Sequence, residues 1–414
     1  MDEHDAEQYY RHMRDDLKYQ YANLVRGVIF GQAIGDALGH PIEFEKTHKV
    51  ADLADDNTFT DDTQMFCAIG EAMLDAPPHR DTDLFMDALT KRFVEWRQNP
   101  LGGTHRAPGG TCMEAVRKLG TGRHWRQTGA TRDGKGNGSA MRAGIVGARY
   151  WKEPTMAFRI GCLTSVVTHN NLEAILAAGM VAFLVSRSIQ GCGLFEAVAE
   201  GLALCADFEN QVPDYPTNNL PLNNMRDGQS PWKAIASFSR GFILGETDMA
   251  TKEFLAGNGD DFTAVPAVSE AIFFNARHDN YDPMVIECAN ASDDSDTITA
   301  ITGTIAGARF GFDMINANVQ IDRRDGWTDR IEMRDYLEDL SKRIFETSLG
   351  EGEIEEARAA HDIDAALGEE YAEDEVTFED VIAGKIADDG EVPEDEVTFG
   401  DLSGGEDPDW EVEF

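Results

Sequence analysis

Glycine recurs at Gly27, Gly31, Gly35 and Gly39 in the stretch GVIFGQAIGDALG, every fourth residue, and only Gln32 and Asp36 interrupt its apolar character. Glycine costs about 1 kcal/mol relative to alanine in a helix interior, so four on one stripe demand a compensating contact. Residues at i, i+4 and i+8 share one helix face. A face without side chains lets a second helix backbone approach closely. A matching stripe, Gly303, Gly307 and Gly311, lies late in the chain, in NASDDSDTITAITGTIAGARFG (residues 290–311). The two stripes predict a pair of central helices packed through glycine, which would draw the acidic residues at their ends into one cleft.

Those acidic residues form two similar sets. Thr60-Asp61-Asp62-Thr63 precedes the apolar run QMFCAIGEAML, and Asp294-Ser295-Asp296-Thr297 precedes ITAITGTIAGARFG. One reading is helix capping, since Ser, Thr and Asp are favoured at N-caps and acids in the first turn. Capping needs only one side chain, whereas each set supplies two carboxylates and a threonine. If the sets converge, they form a nest of hard oxygen donors with no basic residue adjacent in sequence, suited to Mg²⁺, Mn²⁺ or Ca²⁺ rather than zinc. Without a cation, four close carboxylates would repel one another and hold protons. A third segment, GKGNGSAMR (residues 134–142), has three glycines in five residues around Asn137. Such a loop presents backbone N–H groups to phosphate oxygens or makes a plain turn, and it fits neither a Walker A nor a dinucleotide-binding pattern.

Charge limits the partners. The net charge is −40, and residues 351–414 hold 25 acidic and two basic residues (Arg358, Lys385). Lysine is scarce, with 11 against 25 arginines. An acidic, lysine-poor surface suits a halophilic source and argues against nucleic-acid binding, which needs basic contacts to phosphate. The six cysteines form no CxxC pair and have no histidine cluster beside them, so a reducing cytoplasm is expected. The opening MDEHDAEQYYRHMRDD lacks the apolar core of a signal peptide. The run LEAILAAGMVAFLV (residues 172–185) reads as a buried helix too short to cross a bilayer. No membrane partner and a monomer are expected.

Along the chain, residues 1–23 read as a polar helix or frayed lead-in. Residues 24–349 alternate apolar helical stretches with Gly, Pro and Asn loops, one of them at 207–230, and show few strand signals. Residues 350–414 form an acidic tail with a duplicated segment, EDEVTFED at 373–380 and EDEVTFGD at 394–401. So little apolar content cannot support a core, and disorder is expected there; docking of each Val-Thr-Phe on a partner is the other reading.

Taken in order, GQAIGDALGHPIEF, TDDT, GNGSAMR, a Thr168-His169 pair followed by a long helix, and the late DSDT resemble the ADP-ribosylglycohydrolases of the dinitrogenase-reductase-activating type. The resemblance covers residues 25–311 and extends toward 349. It implies an all-α orthogonal multi-helix bundle that binds two Mg²⁺ ions, with Mn²⁺ as a substitute. The implied reaction is hydrolysis of the glycosidic bond between ADP-ribose and a protein side chain or small acceptor. By the same resemblance, Thr60, Asp61 and Asp62 match the first metal-binding set, and Asp294, Asp296 and Thr297 the second. Glu43 matches a glutamate with a catalytic role, and Asp294 or Asp296 would lie near the attacking water. Gly136, Asn137, Gly138 and Ser139 match the loop around ADP-ribose, His169 a histidine near the ligand, and residues 106–109 another cleft loop. Where the family reads Asn-x-Gly-Gly-Asp, this chain has Asn290-Ala291-Ser292-Asp293-Asp294, placing an added carboxylate either in the cluster or toward solvent.

Two other classes compete. A non-catalytic member of the fold would bind ADP-ribose without turnover. A Mg²⁺-dependent phosphatase of the haloacid-dehalogenase type would use DSDT as its DxDxT motif. That motif follows an apolar strand, which residues 288–293 are not, and its fifth position is Ile298 here.

Overall fold

The computed structural model describes residues 3–43, 49–54, 57–131, 133–211, 254–255, 260–315 and 326–349. Residues 212–253 and 350–414 lie outside the described residues, and with them most of the loop expected at 207–230 and the duplicated EDEVTF segment. Among the described residues there are thirteen α-helices and no strand, so the all-α expectation holds.

The first helix, α1 (Glu3–Gly39), is continuous for 37 residues, so the lead-in and the glycine stripe share one helix with no break at residue 23. After it come α2 (Asp61–Asp75), α3 (Thr82–Gln98), α4 (Gly110–Gly120), α5 (Gly144–Arg149), α6 (Pro154–Val166), α7 (Leu172–Ile189) and α8 (Leu194–Gln211). The later helices are α9 (Ala264–Arg277), α10 (Tyr281–Ala291), α11 (Ser295–Phe310), α12 (Trp327–Arg330) and α13 (Arg334–Leu349). Residues 207–211, expected in a loop, belong to α8.

Helices α1 and α11 form the central pair, and the glycine stripes are their interface. A Cβ on Gly27 would collide with the Gly307 carbonyl, one on Gly31 with that of Gly303, one on Gly35 with that of Thr299, and one on Gly39 with that of Ser295. The pairing descends on one helix as it climbs on the other, so the two are antiparallel. The stripe on α11 therefore continues past its glycines into Thr299 and Ser295, both fully buried. Backbones this close exchange side-chain hydrogen bonds with the opposing main chain: Ser295 Oγ donates to Gly39 O at 2.9 Å and Thr304 Oγ1 to Val28 O at 3.3 Å.

Around this pair pack α7, α9, α10 and α13. Helix α7 has 18 residues with a mean hydropathy of 1.7, long and apolar enough to cross a membrane by composition, yet 94% of it is buried inside the protein. Small residues recur where α7 meets its neighbours, since a Cβ on Gly147 or Gly161 would meet the carbonyl of Ala182 or Ala178. The antiparallel arrangement sets the C-terminal end of α1 beside the N-terminal end of α11, and that is where the acids converge.

Candidate active site

The first set of acids opens α2. Thr60 is the N-cap, its hydroxyl accepting from the Asp62 amide at 3.4 Å. Capping by Thr60 leaves both Asp61 and Asp62 without that duty. In the second set, Asp294 occupies the N-cap position of α11 but makes no capping hydrogen bond. Its carboxylate instead accepts from Asn137 Nδ2 at 2.6 Å. The carboxylates in these sets are thus committed to a shared cleft rather than to holding helix ends.

Asp36 joins α1 to α2. Fully buried on α1, it accepts from the Thr60 amide at 2.9 Å, the Thr63 amide at 3.0 Å and the Thr63 hydroxyl at 2.6 Å. It thereby anchors the start of α2 to α1. A short 3₁₀ turn, His40–Ile42, follows α1 and delivers Glu43 to the same place.

A cleft of about 480 Å³ is lined by Glu43, Asp61, Asp62, Asp294, Asp296 and Thr297 on one side. The remaining wall comes from residues 107–112, from Gly136, Asn137, Gly138 and Met141, and from His169 and Phe262. Loop 104–109 is held by Arg106, which pairs with Glu332 at 2.8 Å, while the Arg106 carbonyl accepts the Asp61 amide at 3.2 Å. Ser139 points away from the cleft, its hydroxyl donating to Ala174 O at 3.1 Å. Thr60 is buried beneath it as the cap. Apart from Arg106, all other sequence-predicted site residues line the cleft.

The electrostatics are those of crowded acids. Burial, then repulsion from Asp36, pushes both Asp61 and Asp62 well above the usual carboxylate range. Asp296 rises for the same first reason and then through Asp62 and Asp294, and Asp294 rises through burial despite its bonds to Asp296 and Asn137. Glu43, pushed up to about 7 by burial and then by Asp294, shares a hydrogen bond with Asp296. Asp62 Oδ2 is buried and meets no hydrogen-bond donor among the described residues. Buried acceptor oxygens left bare cost several kcal/mol unless a cation is bound. Hard oxygens, mutual repulsion and an orphaned carboxylate oxygen together fit a hard divalent cation held by Asp61, Asp62, Asp294, Asp296 and Thr297. His40, Glu43 and Asp296 also present donor atoms within 4.8 Å of one another.

Sequence reasoning missed several supports. Asp36 stood out in the glycine stripe, but nothing local revealed its three donors. Asp261 accepts from the Asp293 and Asp294 amides at 2.7 and 3.2 Å, and its carbonyl accepts from Asn137 Nδ2 at 3.0 Å. Asp293 itself is exposed, so the added carboxylate stays out of the cluster. Ser292, at the other altered position, donates to buried Glu270 at 3.0 Å.

An all-helical protein that gathers carboxylates from an early and a late segment of its described chain beside a glycine-rich loop fits the class of metal-assisted hydrolases. The model of the ADP-ribosylglycohydrolase family matches residues 17–353, and the chain belongs to that family. It is 24% identical to the ADP-ribosylarginine hydrolase Tri1 of Serratia proteamaculans over 77% of this chain and 78% of that one. It is 22% identical to the ADP-ribosylhydrolase ARH3 of Danio rerio, over 78% of this chain and 90% of that one. Among solved structures, one described as an ADP-ribosylglycohydrolase-related protein complex superposes with a TM-score of 0.54 at 20% identity, covering 80% of this chain and 99% of that chain; that likeness shows the fold.

Proposed function

We propose that the protein is a Mg²⁺-dependent ADP-ribosylglycohydrolase that cleaves the bond between ADP-ribose and an arginine or serine side chain or a small acceptor. The observation that carries this reading is the convergence of Glu43, Asp61, Asp62, Asp294 and Asp296 on one cleft beside the Gly136–Gly138 loop and His169. Cleavage at an anomeric carbon passes through an oxocarbenium-like state, and a carboxylate-lined pocket stabilises that positive charge. Two divalent ions, Mg²⁺ or Mn²⁺, would offset the repulsion among the acids and anchor the sugar hydroxyls.

This chain's own residues do the rest. Glu43, half buried in the cleft wall and hydrogen-bonded to Asp296, is placed to hold or release a proton beside the scissile bond. Asp296 is its hydrogen-bond partner and orients it. Asn137 spends its amide N–H on Phe262 O at 3.1 Å and its side chain on Asp294; its role is to shape the loop. Gly136 and Gly138 leave room against His169 for the diphosphate. The charge of −40 and the scarcity of lysine support a monomer working at high salt, and six cysteines without a CxxC pair support a reducing cytoplasm.

The linkage is tested by offering ADP-ribosylated arginine, ADP-ribosylated serine and an O-acetyl ADP-ribose side by side. Free ADP-ribose from one of them assigns the substrate. Binding of ADP-ribose without release from any would replace hydrolysis with a binding role.

A further inference from the structure

His169 sits in the cleft wall, 2% exposed, at the end of a buried chain of polar groups that the reaction does not itself require. Arg142, fully buried on the GNGSAMR segment, donates from Nη2 to Thr168 Oγ1 at 2.6 Å and to Thr164 O at 3.2 Å. Thr168 Oγ1 lies 2.8 Å from His169 Nδ1. A guanidinium has only donors, so the Thr168 oxygen accepts from Arg142 and its single proton is left for His169. Among the described residues no other acceptor meets that hydroxyl. Were Nδ1 the donor, the hydroxyl oxygen could take both bonds but its own buried proton would have no acceptor; Nδ1 therefore accepts, and the ring proton belongs on Nε2.

The Nε2 edge faces the glycine loop. A Cβ on Gly138 would lie 2.9 Å from His169 Cε1 and 3.3 Å from Nε2, and one on Gly136 would lie 3.5 Å from Nε2. The glycines thus keep open the space in front of a ring N–H. Burial and the neighbouring Arg142 charge together hold the ring neutral, its pKa lowered to about 3.

We infer that Arg142 and Thr168 are positioning residues that lock His169 as a neutral Nε2–H donor aimed at an acceptor oxygen of the ligand across the Gly136–Gly138 loop. The wall opposite the carboxylates then selects oxygen acceptors, and its donor persists across the whole working pH range. The ligand's identity as ADP-ribose rests on the function proposed above; the tautomer does not.

The test is nitrogen NMR of the full chain labelled with ¹⁵N-histidine, with the His169 signal assigned by its loss in His169→Gln. The expected pattern is a protonated Nε2 and an unprotonated Nδ1 that do not titrate between pH 5 and 9. In Thr168→Val the pattern should become mixed, and Thr168→Ser should restore it. Calorimetry with ADP-ribose should show up to about tenfold weaker binding for Thr168→Val and near wild-type binding for Thr168→Ser, the worth of one neutral hydrogen bond. A protonated Nδ1, a titration near the ordinary histidine value, or a tautomer indifferent to Thr168→Val in a folded protein would overturn the inference. The expected tautomer without any affinity for ADP-ribose would uphold the lock and overturn the ligand assignment instead.

Discussion

Asp36 shows how one buried carboxylate can serve both scaffold and site. Its two oxygens take three donors from the first turn of α2, and its charge raises the carboxyls of Asp61, Asp62 and Asp296. Asparagine at this position offers one acceptor oxygen and sets its NH₂ against a donor. Asp36→Asn should therefore cost about 2 kcal/mol in urea denaturation with Mg²⁺ present, since bonds to charged groups are worth about 1.5–3 kcal/mol. Protonation supplies a second expectation. Burial sets Asp36 at about 6 and Glu43 at about 7, against about 4 for both in an unfolded chain. Between those values the folded state binds more protons, so the stability of the metal-free protein rises as pH falls from about 7 toward about 4. His169 and His124 act oppositely, because their lowered pKa values favour unfolding below about 6.5, but they are two groups against several acids. In EDTA the melting temperature should be higher at pH 5.5 than at pH 8; a flat or inverted profile would contradict the account. The sequence showed the acids themselves, because their doubling in TDDT and DSDT exceeds what capping needs. It hid Asp261 and the link from Thr168 to Arg142, which depend on chain segments that meet only after folding.

At the scale of elements, the α1–α11 contact reverses the usual helix preference. By intrinsic propensity Gly31→Ala should stabilise α1 by about 1 kcal/mol. Here the new methyl would strike the Gly303 carbonyl, and overpacking against a backbone that cannot shift costs about 1–3 kcal/mol or more. Gly31→Ala and Gly303→Ala should each lower the urea midpoint. Gly120→Ala, where an added Cβ meets nothing within 4 Å, should leave it unchanged or slightly raised. Equal responses at the three sites would show that the stripes do not set the packing. This interface was legible from the four-residue glycine period alone. Its extension through Thr299 and Ser295 was not, because small polar residues in a helix carry no comparable signal. Nor was the unbroken course of α1 through residue 23, since its polar first half has no apolar stripe to read.

The molecule as a whole brings Glu43 and Thr297, from an early and a late segment of its described chain, into one cleft by running α1 against α11. Such a site has no local signature beyond its two acid sets, and the order of all the motifs along the chain was what made the family legible. The acidic surface predicts that activity and folding persist in molar KCl, where screening relieves self-repulsion at −40; loss of helical circular dichroism on dilution of salt would be the matching observation. The most direct measurement is release of free ADP-ribose from an ADP-ribosylated substrate at high salt, by wild type and by Asp296→Asn, each in Mg²⁺ and in EDTA. The account predicts release by wild type in Mg²⁺, abolished by EDTA, and a loss of at least about a hundredfold in the variant, the scale of removing a group that stabilises charge in the transition state. Release that survives EDTA, or a folded Asp296→Asn protein with wild-type turnover, would contradict it.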